Sequence, residues 1–78
     1  MENAIYLKAL DLEKRGQWDA AHELIQDLPD KNAAWIHAYL HRKEGDQWNA
    51  EYWYKRAGQS VFTGSLDEEW RHIYDSLS

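Results

Sequence analysis

Four glycines and one proline constrain this chain more than any other feature: Gly16, Pro29, Gly45, Gly58 and Gly64 cut it into short segments. Each segment but the stretch after Gly58 carries apolar residues at helical rather than alternating spacing. Residues 3–15 place Ile5, Ala9 and Leu12 on one face, with Tyr6 and Leu10 beside them; Asn3 is the expected cap, and Lys14 and Arg15 suit the negative end of the helix dipole. Residues 18–28 repeat the pattern through Trp18, Ala21, Ile25 and Leu28, and Pro29 closes them. Asp30-Lys31-Asn32 is turn and cap chemistry for a third helix over 33–44. That helix is apolar on two sides, a broad Trp35, Ile36, Tyr39, Leu40 stripe and a narrow Ala34, Ala38 stripe, which predicts a helix sandwiched between neighbours with its aromatic side open to a further layer or a partner.

A fourth helix is expected over 48–57 from Ala50, Trp53, Tyr54 and Ala57, with Glu51 and Lys55 as an outward pair one turn apart. The segment 59–64 reads as a loop in which Val61 and Phe62 tuck back onto the core. Ser65 and Glu68 then form a capping-box pattern, and Leu66, Trp70, Ile73 and Leu77 make one stripe opposed by Asp67, Glu69, Arg71 and Asp75. This last helix, 65–77, is expected to close the stack and to show its charged back to water. The links are short, so helices one and two, and two and three, should lie antiparallel.

A chain of 78 residues makes one small domain, and it holds no cysteine to brace it. Its five Trp and five Tyr supply the compensating bulk, and the same residue types are enriched at binding hot spots. A net charge of −5 disfavours nucleic-acid binding, which depends on neutralising phosphates. Residues 37–58 depart from that acidity, with 4 basic against 3 acidic groups and two histidines. No apolar run approaches a membrane span, and the N-terminal MENAIYLKAL lacks the layout of a secretory signal, so a soluble, cytoplasmic protein is expected.

The chain also repeats itself. Gln17-Trp18-Asp19-Ala20 and Gln47-Trp48-Asn49-Ala50 share one pattern at a period of 30, while Gly16 and Gly45 lie 29 apart. Two helices per unit at such a period mark an α-solenoid. The sequence here resembles the tetratricopeptide repeat: Gly45, Ala50, Tyr54 and Ala57 match the family's series of glycine, small residue, large aromatic and small residue. Gly16, Ala21, Ile25 and Leu28 match it more loosely, and Ala9 and Ala38 stand where the first helix of a unit takes a small residue. Pro29 comes early for the family's closing proline, the second unit has none, and His41 replaces a bulky aromatic.

The resemblance covers residues 3–58. It implies an all-α, right-handed stack of two helical hairpins, 3–28 and 33–58, with 65–77 as a capping helix. It further implies a concave, partner-binding surface built from the first helices, with Tyr6, Leu10 and Lys14 on one and Asn32, Trp35, Tyr39, Arg42 and Lys43 on the other. The family binds proteins or peptides in such grooves. The asparagine and lysine clamp that some members use for a terminal carboxylate is not reproduced.

One constellation suggests other chemistry. His37 and His41 are one helical turn apart, with Glu44 a further turn on, and two imidazoles at that spacing can share a metal that also accepts a carboxylate. His22 and Asp46 join them if the turn folds toward them. The favoured role for the histidines is to border the contact with helix four, hydrogen-bonded to a tyrosine or Asn49. The pattern lacks the glutamate of metalloprotease helices, no glycine-rich phosphate loop occurs, and Ser60, Thr63 and Ser65 have no histidine near them in sequence. The expectation is therefore an interaction module that binds a protein, a peptide or a second copy of itself, neither an enzyme nor a cofactor carrier, with metal binding through His37, His41 and Glu44 as the alternative.

Overall fold

The structure is a computed structural model that describes residues 3–78, and five helices follow one another in it. These are α1 (Ala4–Lys14), α2 (Trp18–Ile25), α3 (Lys31–Lys43), α4 (Gln47–Ala57) and α5 (Leu66–Leu77). The chain is all-α, as expected, with no strand among the described residues.

The helix ends follow from local chemistry. At Gly45 the backbone takes φ +90°, a left-handed conformation that lets the Asp46 N–H reach back to the His41 carbonyl at 2.9 Å and finish α3. Gly16 ends α1 in the same way, with Gln17 N–H bonded to the Leu12 carbonyl. Asp30 caps α3 through its side chain, Asp46 caps α4, and Ser65 and Glu68 close the expected capping box on α5. Two boundaries differ from the sequence reading. Helix α2 stops at Ile25, because Leu28 precedes a proline, where the helical conformation is disfavoured. Asn3 makes no side-chain cap; its amide donates instead to the Leu77 carbonyl at 2.9 Å and ties the two ends of the chain together.

Helices α1 with α2, and α3 with α4, form the two closest pairs, and α3 also meets α1, α2 and α5. This central place explains the two apolar sides of α3: every residue from Ala33 to Leu40 is buried. Small residues at Ala38 and Ala50 are fully buried, as close approach of α3 and α4 requires.

Helix α5 shows Asp67, Arg71 and Asp75 of its charged back to water, as expected, but Glu69 is turned inward. The helix lies across α1 and α3, over the face expected to form an open groove. Its Trp70, Ile73 and Leu77 are buried, and the Trp70 indole N–H donates to the Leu10 carbonyl at 2.9 Å while the Lys14 ammonium stands 4.2 Å above the ring. The expectation that Glu69 faces water is corrected, because its exposure is 0%. Arg42 Nη1 donates to it at 2.8 Å, and the Tyr54 hydroxyl donates to its other oxygen. A second buried carboxylate, Glu13, receives the Tyr39 hydroxyl at 3.1 Å and the Lys43 ammonium. Both carboxylates are thus fully partnered, the condition under which a buried charge is tolerated.

Candidate metal centre

Three imidazoles meet where α2 touches α3. His37 and His41 project from one face of α3, a turn apart, and His22 reaches them from α2. The His22 and His37 Nε2 atoms are 3.0 Å apart, and one ligand atom from each of the three histidines lies within 4.8 Å of the others. Two nitrogens bound to one zinc in a tetrahedral site stand roughly 3.3 Å apart, from Zn–N bonds of about 2.0–2.1 Å. The cluster is therefore already on the scale of a coordination shell.

Two tryptophans build the walls. The Trp18 indole N–H donates to the Leu40 carbonyl at 2.7 Å, which fixes the first turn of α2 against α3, and its ring stacks on His22 with centroids 4.9 Å apart. Trp53 of α4 stacks on His37 at 3.8 Å and 12°. His41 completes the group edge-on to Trp18, and its Nδ1 lies 2.6 Å from a Glu44 oxygen. A carboxylate only accepts, so Nδ1 is the donor, the contact that carboxylates make with metal-binding histidines.

Electrostatics favour the neutral, ligand-ready form. Burial pushes the His37 pKa down to about 3, helped by the His22 and His41 rings beside it. Burial and the nearby His41 also lower that of His22, against an opposing pull from Glu44 and Asp19. A second group, His41 with Glu44 and Asp46, has equally close ligand atoms, but both Asp46 oxygens are engaged in capping α4 and in binding the Asn49 amide at 2.6 Å.

Of the residues singled out for metal, the structure thus gathers His37 and His41 into the cluster and places Glu44 against Nδ1 of His41. It supplies the third imidazole from His22, which the sequence reading held only as a conditional member. One signal did point to it. His22 lies seven residues before Pro29 and His37 eight after, so an antiparallel pair hinged at the proline brings them face to face.

Two of the residues expected on an open partner-binding groove, Trp35 and Tyr39, are buried, and this is a correction, while Lys14 and Lys43 remain exposed. Trp35 is 7% exposed and Tyr39 2%, both covered once α5 packs over α3. Arg42 is bonded to Glu69 and the Gly64 carbonyl, Lys43 to Glu13, and the Tyr6 hydroxyl donates to Asp30. Asn32 is half-buried near the α3 cap, and Leu10 is fully buried. The amphipathic α5 satisfies this face from within the chain, because its apolar stripe and Glu69 match what the face presents. Comparison of the chain with protein-family models, curated proteins and solved structures returns no match.

Proposed function

We propose that this protein binds a divalent transition metal through His22, His37 and His41, with Glu44 orienting His41. The observation that carries the reading is the convergence of three imidazoles from α2 and α3 to within 4.8 Å, two of them held neutral. An all-imidazole set suits zinc, copper(II) or nickel, and the absence of cysteine from the chain leaves no thiolate to favour softer ions. The metal would replace the proton now shared between the His22 and His37 nitrogens and would staple α2 to α3, a junction otherwise held by the Trp18 hydrogen bond and apolar contact. Degenerate tetratricopeptide-like hairpins in a cytoplasmic protein remain our reading of the scaffold, supported by the α1–α2 and α3–α4 pairing.

Calorimetric titration with zinc at about pH 7.5 tests the proposal. Heat should appear with a stoichiometry of one, vanish in His41→Ala, and persist in His72→Ala, whose ring lies elsewhere, against Trp35 and Phe62. Circular dichroism of His41→Ala should remain helical, since that ring is only partly buried. Absence of heat for the folded wild type with zinc, copper(II) and nickel would sink the reading.

A second reading, an interaction module, keeps support from a different surface: Trp48 is 78% exposed, on the outer side of α4.

A further inference from the structure

Helix α4 is an edge helix. It packs on α3 with one side and presents the other to solvent. The described residues include three exposed large hydrophobic side chains, and two of them, Trp48 at 78% and Tyr52 at 48%, stand on that outer side; the third, Val61, follows just after the helix. Glu51, Lys55 and Arg56 complete the face. Isolated exposed apolar residues need no explanation, but a tryptophan one turn from a tyrosine on an unpartnered helix face has the composition of a binding hot spot.

We propose that this face binds a second copy of the chain, α4 against α4 in antiparallel, two-fold fashion. The face is self-complementary. A two-fold axis beside Tyr52 sets Trp48 opposite Arg56 of the other copy, because the two residues are equally far from Tyr52, about 6 Å along the axis on either side. The indole ring then meets a guanidinium, the pairing that favours tryptophan most. The same axis brings Glu51 within about 3 Å, along the helix direction, of Lys55 in the other copy. Among the described residues neither Glu51 nor Lys55 belongs to an ion pair, so both charges are available to the contact.

Arg56 is prepared for this role. Its Nη1 donates to the Tyr52 hydroxyl at 3.1 Å, and its guanidinium stands 5.1 Å from the Trp53 ring centroid. Less side-chain freedom is therefore lost on docking. The chain carries a net charge of −5, yet this face holds one carboxylate against two cations, so the general repulsion is not focused there. Antiparallel helices also set opposite dipole ends together. One helix face per copy cannot bury the area of a standard stable interface, about 1,200–2,000 Å², so the dimer belongs to the weak, reversible class.

The test is sedimentation equilibrium of the full chain, without added metal, from about 10 µM to about 1 mM, the concentration range in which a weak interface is populated. Average mass should rise from 9.3 kDa toward twice that value. Trp48→Ala should raise the dissociation constant at least about tenfold, as loss of a central aromatic anchor does. Glu51→Lys and Lys55→Glu should each weaken association, and the double exchange Glu51→Lys, Lys55→Glu should restore it. All three positions are exposed and make no fold-stabilising ion pair, so the variants remain folded. A strict monomer at the top concentration, or association indifferent to Trp48→Ala, overturns the proposal. Failure of the double exchange to rescue overturns the antiparallel register.

Discussion

Replacing Arg42 by leucine is the most searching perturbation of this fold, because it removes one partner from a carboxylate that has no access to water. The side chain of Glu69 is 0% exposed and that of Arg42 18%, so the pair is buried on the carboxylate side and only partly wetted on the other. Breaking a buried pair by deleting one partner costs about 3–5 kcal/mol, chiefly through the charge left behind. Glu69 keeps the Tyr54 hydroxyl, which puts this case at about 3 kcal/mol. Loss of the Arg42 bond to the Gly64 carbonyl adds about 1 kcal/mol.

A domain of 78 residues has roughly 4–12 kcal/mol of stability in all. A loss of about 4 kcal/mol should therefore lower Tm by roughly 16–32 °C for a chain of this size. Urea unfolding followed by circular dichroism should show the midpoint falling by roughly 3–4 M at an m value of about 1–1.3 kcal/mol per M. The variant Arg42→Leu, Tyr54→Phe, Glu69→Leu removes every member of the network and should recover to within about 1.5 kcal/mol of wild type, since a wholly apolar replacement leaves no unpaired charge. A single-variant loss below about 1 kcal/mol is the value of a surface ion pair. That result would mean α5 is not docked on α3 and α1 as described, and the reasoning would fail.

Further outcomes follow from the same structure. Zinc at a hundredfold excess over its dissociation constant should stabilise the fold by about 2.7 kcal/mol, read as a rise in Tm that His41→Ala abolishes. Because the folded-state pKa of His37 lies at about 3 and that of His22 is also lowered, the unfolded chain binds more protons below the ordinary histidine value. Stability is then complete above about pH 6.5 and is lost as pH falls toward 3, so urea midpoints should drop across that window and His37→Gln should flatten the decline. Gly45→Ala forces a side chain into φ +90° and should cost about 1–2 kcal/mol in urea unfolding, although no neighbouring atom obstructs the added methyl. Trp48→Ala at concentrations where the chain is monomeric should change stability by less than about 0.5 kcal/mol, in keeping with its exposure.

The existence and type of all five helices were legible in the residues. Their apolar spacing, the Gly16 and Gly45 turns, the Pro29 break and the Ser65–Glu68 box are local features, and local hydrogen bonding decides helix ends. The histidine pair on α3 was legible for the same reason, since two residues a turn apart share a face whatever surrounds them. Glu69 was misread because its place in a charged stripe looks identical whether that stripe meets water or Arg42 and Tyr54. Trp35 and Tyr39 were misread as free for the complementary reason: a helix wheel records a second apolar side without recording what covers it.

The sequence by itself therefore determined the helices, their boundaries to within a few residues and the pairing of His37 with His41, because each depends on residues within a turn or two of one another. The tertiary structure alone decided that α5 lies in the face expected to be open, that Glu13 and Glu69 are buried and paired, and that His22 completes a three-imidazole cluster between Trp18 and Trp53. Those facts depend on which complementary surfaces come to rest together, a property of several segments at once that no single segment carries.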